Sequence, residues 1–307
     1  MTGAVTEGPL DTTQADLVLE LASAARAADG VAPLSEQTVL HVRHGASHDS
    51  GGRDWVITGA DGGIAAYAHL DPPDDSGADG AILSGELVVH PAHRRRGHGT
   101  ALVSALTTVA DGHGLRIWAH GDLPAAAEFA KAIGFTRTRE LWQLLLPAGA
   151  PVPELVLPAG VTLRTFVPGA DEEAWLAVNR RAFAHHPEQG SWTREDLELR
   201  ESEPWFDPAG FFLAERDGRL AGFHWTKVHP SGGTDGGPIG EVYVVGVDPA
   251  AHGGGLGKAL TVAGLAHLRA RGLAEIMLYV DGDNTPATRL YAALGFRPWH
   301  SDVMYQR

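Results

Sequence analysis

Gly85-Glu86-Leu87-Val88-Val89-His90-Pro91 runs into Arg94-Arg95-Arg96-Gly97-His98-Gly99, and Gly240-Glu241-Val242-Tyr243-Val244-Val245-Gly246-Val247-Asp248-Pro249 runs into His252-Gly253-Gly254-Gly255-Leu256-Gly257. An apolar strand, a glycine-rich loop and a helix therefore occur twice in one chain. Each copy later closes on Gly-Phe, at Gly134-Phe135 and Gly295-Phe296, after an alanine-rich helix. The repeat unit is then a whole domain rather than a solenoid module.

Working outward, the first copy opens with apolar-periodic stretches over 16–28 and 34–42, which predict two helices. A hairpin about Asp61-Gly62-Gly63, an acidic loop over 71–80 and a strand over 81–89 then lead into the loop, and the copy ends near Leu146. Pro147, Pro151, Pro153 and Pro158 form a stretch that suits neither a helix nor a central strand. The expected organisation is a first domain over 1–147, a linker over 148–160 and a second domain over 161–307. The second copy repeats the order: strand 162–167, helices 172–184 and 194–199, a hairpin at Asp217-Gly218, strand 241–247, helix 256–270, strand 275–280, a helix near 286–294 and a last strand from Phe296. The fold class is mixed α/β, with two similar domains in tandem.

Composition narrows what these domains do. At 307 residues each domain is long enough to bury its own core. The chain has no cysteine, which rules out disulfides, thiolate metal sites and a cysteine nucleophile, and its net charge of -14 argues against broad nucleic-acid binding. No apolar run spans a bilayer and no basic-then-apolar leader opens the chain, so the expectation is a cytoplasmic protein with no membrane partner. Among sixteen histidines, His41, His44 and His48 invite a metal reading. No carboxylate sits among them at ligand spacing, so they are read as surface histidines and no metal is expected. The tryptophans suggest packing only.

Consecutive backbone N–H groups in a glycine turn that opens a helix point into one concavity, where the helix dipole adds positive charge. Such a loop binds phosphate. No Gly-Lys-Ser/Thr follows, as a P-loop requires, and Gly97-x-Gly99 and Gly255-x-Gly257 lack the third glycine of a dinucleotide fingerprint.

At these residues the chain resembles the GCN5-related N-acetyltransferase (GNAT) superfamily, whose signature is Gln/Arg-x-x-Gly-x-Gly/Ala after the fourth strand and Tyr-x-x-Leu-Gly-Phe near the end. The resemblance implies acetyl-CoA as co-substrate, with its pyrophosphate on the loop amides and its pantetheine arm along the strand like an added β-strand. In the first copy this assigns Leu87, Val88 and Val89, then Arg95, Arg96, Gly97, His98, Gly99 and Thr100. In the second it assigns Val245, Gly246 and Val247, then His252, Gly253, Gly254, Gly255, Leu256, Gly257 and Lys258, with Asn284, Thr285, Pro286, Ala287, Thr288 and Arg289 as a further cofactor segment. The second loop lacks the arginines of the first, which predicts weaker cofactor binding there.

A closer resemblance, to the tandem acetyltransferases of mycothiol biosynthesis, is carried by Gly222 to Pro230 (Gly-Phe-His-Trp-Thr-Lys-Val-His-Pro), His186 to Gly190, Trp205 to Pro208 and Val31-Ala32-Pro33-x-x-Glu36. It implies a small-molecule amine acceptor, the cysteinyl amine of cysteinyl-glucosaminyl-inositol, bound by Glu36, Glu188, Lys227, Glu241 and Tyr279. Because Glu36 lies in the first half, it also implies an acceptor cleft to which both halves contribute. The residues alone leave open another amine, such as an aminoglycoside or a peptide N-terminus, or a non-catalytic CoA sensor. A monomer is expected.

Acetyl transfer to an amine needs a base and an acid for the departing thiolate. Tyr291 stands four residues before Gly295, where the superfamily carries its thiolate-facing tyrosine, whereas the first copy has Ala130 there and Phe129 beside it. Glu241 has a counterpart in Glu86, so the base position does not separate the copies. The acid position does, and it predicts catalysis in the second half, with Glu241 as base, Tyr291 as acid and a strand N–H near Val245 to Val247 as oxyanion donor.

Overall fold

The computed structural model describes residues 3–45, 52–71 and 82–307, with the side chains at 187 and 188 outside the described set. The acidic loop expected over 71–80 lies outside it beyond Asp71, as does His48. Two compact units form, one from 1–141 with 300–307 and the other from 142–299.

Unit 1 contains β1 (Val5–Glu7), α1 (Thr12–Asp29), α2 (Glu36–His44), β2 (Arg53–Thr58), β3 (Ile64–Leu70), β4 (Ile82–Val89), α3 (His98–Ala110), β5 (Gly114–Ala119) and α4 (Pro124–Ala132). β6 (Thr136–Leu146) begins in it and ends in unit 2. Unit 2 contains β7 (Val161–Thr165), α5 (Glu172–Ala182), α6 (Pro187–Gly190), α7 (Arg194–Glu201), β8 (Phe211–Arg216), β9 (Arg219–His229), β10 (Ile239–Val247), α8 (Leu256–Ala270), β11 (Ile276–Asp281) and α9 (Thr285–Ala293). β12 (Arg297–Gln306) begins in unit 2 and ends in unit 1. The division therefore falls inside β6 and β12, not at the proline stretch, which belongs to unit 2. A strand's pairing partner is set by tertiary contacts, and β12 finds its partner in β5, with Val303 to Gln306 opposite Ala119 to Arg116. Composition marks a loop but gives no sign of an exchanged strand.

Local chemistry sets the helix ends. Asp11 and Gln14 form a reciprocal capping box, which starts α1 a turn before the apolar pattern does. Ser35 caps α2 by accepting from Thr38 N, so that helix opens at Glu36 rather than at Leu34. Each unit runs an antiparallel meander into one parallel pair, β3-β4-β5 in unit 1 and β9-β10-β11 in unit 2. The core of unit 1 packs Leu102 and Leu106 of α3 against Trp55, Ile57 and Ala66. Unit 2 gathers Trp175, Phe211, Phe223 and Trp225 into one buried aromatic cluster, with Phe211 and Trp225 stacked at 4.5 Å. The helix α8 approaches β9 closely enough that a Cβ on Gly264 would stand 2.0 Å from Cε1 of His224. Among the described residues no helix is long and apolar enough to cross a membrane.

Candidate active site

The loop of unit 2 is built by three glycines in succession. Gly253, Gly254 and Gly255 have φ of 91°, 62° and 82°, a region that strains any residue with a Cβ. Gly255 caps α8 without a side-chain hydrogen bond, and the first helical bond runs from Ala259 N to Gly255 O. The amides of Leu256, Gly257 and Lys258 precede that bond, so they point out of the helix end together. Asp248 fixes the entry to the loop by accepting from Ala250 N and by pairing with Arg181 at 2.6 Å. Burial pushes the Asp248 carboxyl up, but the Arg181 hydrogen bond outweighs it and holds the group below the usual carboxylate range. His252 turns back to the Val247 carbonyl at 3.1 Å, while Lys258 is exposed.

Unit 1 builds the same turn with charge in place of glycine. Arg94 donates to the Val89 carbonyl at 3.2 Å and clamps Asp29 through two bonds of 2.6 and 2.7 Å. Arg95 adopts a φ of 60° and Gly97, the cap of α3, one of 84°. Arg95, Arg96 and Thr100 are exposed, and His98 is buried. Burial, His93 and Arg96 together lower the His98 imidazole.

Beside each loop the parallel pair comes apart. β10 pairs β11 from Gly240 opposite Ile276 only as far as Val242 opposite Leu278, and β4 pairs β5 only from Ile82 to Glu86. Val245 to Val247 and Leu87 to Val89 therefore lie beyond the paired register, with a backbone edge available to an extended ligand. β10 also carries a bulge at Tyr243, between Val242 opposite Thr226 and Val244 opposite Trp225, which the pairing of β3 with β4 lacks. An extra residue on one strand re-aims the side chains that follow it. Val245 and Val247 then line a cavity of about 300 Å³ with Gly257, Asn284, Pro286 and Tyr291. Gly246 faces the other way, and a Cβ there would stand 2.8 Å from Phe223.

Tyr291 of α9 reaches this cavity and packs edge-on to Phe296, ring centres 5.7 Å apart. Burial pushes its phenol up to about 12, so the hydroxyl keeps its proton at neutral pH. In unit 1 the matching Ala130 is buried in the core, and Phe129 covers Gly99 so closely that a Cβ there would meet its ring at 3.2 Å. Asn284 caps α9 by accepting from Ala287 N, and the Thr288 hydroxyl donates to the Thr285 carbonyl. Thr285 and Arg289 are exposed, and Ala287 lines the cavity.

The two glutamates have different surroundings. Glu241 is buried on β10, directly opposite Lys227 on β9, and its Oε2 lies 2.6 Å from Nε2 of His229. The Lys227 ammonium sits over Trp205 at 4.1 Å and Tyr243 at 5.0 Å, while the Tyr243 hydroxyl accepts from Arg200 Nε. Glu86 has both oxygens committed, one to Ser35 N at 2.8 Å and the other to His120 Nε2 at 3.2 Å. His120 also holds Asp302 through Nδ1 at 3.0 Å, and Asp302 accepts from Gly121 N. Burial raises the Glu86 carboxyl, yet the bonds from His120, Ser35 and Thr38 outweigh it and lower the group. His120 is pushed up to about 10 against the opposing effect of burial.

A histidine raised from 6.5 in the unfolded chain to about 10 in the fold stabilises fully below pH 6.5, and that contribution disappears as pH rises through 10. The thermal unfolding temperature is expected to fall across this window, with a smaller fall in His120→Gln. Equal falls in both proteins would remove His120 as the cause.

His41 is not the surface histidine its neighbours in sequence suggest. Its Nε2 and the Nδ1 of His69 each lie 2.9 Å from Asp54, which also accepts from the Tyr67 hydroxyl at 2.7 Å. Asp54 lies on β2 and His41 on α2, which is why no local spacing reveals the pair. His69 is pushed up to about 9, against burial, by its bonds to Asp54 and Asp71, and despite burial the two histidines hold Asp54 far below its usual range. His41, Asp54 and His69 lie near enough to share a metal ion, but they already satisfy one another. His44 is exposed.

Glu36 opens α2 in unit 1 and is half-buried. Tyr279, 40 % exposed, lies on β11 in unit 2. The Glu188 side chain lies outside the described residues, although Asn179, fully buried, holds that turn through Gln189 O at 2.7 Å. Sequence reasoning missed His229, Trp205 and the Tyr243 bulge. Two-residue alternation along β9 could have placed His229 on the face of Lys227, but a bulge leaves no local signal.

The fold, twice a glycine-rich helix N-terminus beside an open strand edge, is that of a tandem acyltransferase. The sequence pattern of the acetyltransferase (GNAT) family matches residues 20–135 and 175–296, and the chain belongs to that family. A protein of Thermomonospora curvata named mycothiol acetyltransferase is 60% identical over 298 residues, covering 97% of this chain and 95% of that protein. One of the same name from Thermobispora bispora is 59% identical, covering 95% of each. Among solved structures, a GCN5-related N-acetyltransferase from Sphaerobacter thermophilus superposes with a TM-score of 0.67 at 26% identity, over 99% of this chain and 95% of that one. A tandem GNAT protein from the clavulanic acid biosynthesis pathway gives 0.71 at 24% over 99% and 98%, which speaks to the fold alone.

Proposed function

We propose that this protein moves the acetyl group of acetyl-CoA to the cysteinyl amine of cysteinyl-glucosaminyl-inositol, completing mycothiol, and that unit 2 carries the reaction. The observation that supports this reading most is the single cavity where an open strand edge, a bare helix N-terminus and the Tyr291 phenol meet. Similarity to mycothiol acetyltransferases over nearly the whole chain supports the acceptor.

Glu241, through a water, takes a proton from the acceptor ammonium. The amine then attacks the thioester carbonyl, forming the N–C bond, and a strand N–H near Val245 to Val247 holds the oxyanion. As the C–S bond breaks, Tyr291 protonates the thiolate, and the second proton, which the attacking nitrogen loses on becoming the amide, returns through water to the Tyr291 phenolate. The amides of Leu256 to Lys258 hold the pyrophosphate, and Asn284 to Arg289 flank the nucleotide end. Lys227 and Tyr279 of unit 2 meet the sugar and inositol hydroxyls. Unit 1 holds acetyl-CoA along Leu87 to Val89 and Arg95 to Thr100 without turnover, since its glutamate is pinned and its phenol replaced.

Coenzyme A release tests the acceptor. The cysteinyl pseudodisaccharide is expected to exceed an aminoglycoside or a peptide N-terminus by at least about 10²-fold in kcat/KM. A faster reaction with either of those amines overturns the assignment.

A further inference from the structure

We propose that His229 positions the Glu241 carboxylate and relays to solvent the proton that Glu241 collects, an inference that rests on Glu241 acting as the base. Glu241 is 5 % exposed, so its carboxylate itself meets little bulk water. His229 Nε2 is 2.6 Å away, and its side chain is 28 % exposed. The ring therefore bridges a buried carboxylate to solvent. Among the described residues no other group bonds the ring, which leaves Nδ1 to water.

The charged groups around it are otherwise engaged. From β10 only Glu241 faces it. Lys227, on its own strand, is held over Trp205. In the following turn Asp235 accepts from Gly237 N, and Glu275, just before β11, accepts from Thr234.

The proton balance is simple. The acceptor ammonium gives a proton through water to Glu241, and Glu241 passes it to Nε2, making an imidazolium. The imidazolium releases a proton to water, and the pair returns to its starting charge. Unit 1 supplies the internal contrast: His120 also bonds a glutamate, but Asp302 takes its second nitrogen and the ring is 13 % exposed. That pair is closed, and it stores a charge where His229 passes one on.

The test uses the full chain, acetyl-CoA and the cysteinyl pseudodisaccharide. His229→Ala is expected to lower kcat by up to about 10²-fold with KM for acetyl-CoA unchanged, and imidazole added to the buffer is expected to restore the rate in proportion to its concentration. His229→Gln keeps a hydrogen bond to Glu241 but cannot carry a proton, so it is expected to be slow and not rescued. An unchanged kcat in His229→Ala, a loss that imidazole does not restore, or a full rate in His229→Gln overturns the relay. Glu241→Gln separates the two readings: if it is slow while His229→Ala is not, only the relay fails, and if it keeps its rate, the base assignment fails with it.

Discussion

Glu241→Gln is expected to lower kcat for acetyl transfer by about 10²- to 10⁴-fold, the range over which a positioned base contributes to proton transfer. The amide keeps the size of the side chain and one oxygen near His229, so the fold and the acetyl-CoA KM are expected to hold. It cannot accept the ammonium proton. The pH dependence should change with it, since the ascending limb of kcat/KM reports the groups that must lose a proton. Steady-state rates across pH, with thermal unfolding as the folding control, check this. A variant with an unaltered rate and profile would show that the base lies elsewhere.

Tyr291→Phe is the second large effect. It removes one hydroxyl and leaves the ring against Phe296, so the change in stability should be small. The expected loss is about 10²-fold in kcat, because the thiolate must then leave without a proton donor. Burial holds the phenol up to about 12, well above the pH of turnover, so it is present as an acid throughout the working range. The readout is a fall in kcat with acetyl-CoA binding unchanged by calorimetry. A matched fall in cofactor affinity would make Tyr291 a wall of the cavity rather than its acid.

Much of this arrangement was legible from sequence because the chain contains its own comparison. Aligning the two Gly-Phe closures puts Tyr291 opposite Ala130, and that replacement is visible without coordinates. The glycine loops were equally plain, since successive positive φ values leave few alternatives to glycine. What stayed hidden depends on contacts between distant segments. Glu86 and Glu241 look alike in sequence, yet one is tied to Ser35 and to His120, which in turn holds Asp302, and the other to His229. Asp302 arrives on β12, whose residues from His300 onward complete unit 1. Nothing local in β6 or β12 states which unit each will complete, because a strand's pairing partner is set by tertiary contacts. The bulge at Tyr243 is hidden for a related reason: its flanking valines read as unbroken alternation.

The central claim is that one of two similar units performs the chemistry. Coenzyme A release with the cysteinyl pseudodisaccharide, compared between Glu86→Gln and Glu241→Gln in the full chain, tests it most directly. Glu86→Gln is expected to retain the parent kcat while losing stability, and Glu241→Gln to lose turnover while remaining folded. Equal loss of turnover in the two folded variants would contradict the assignment of catalysis to unit 2.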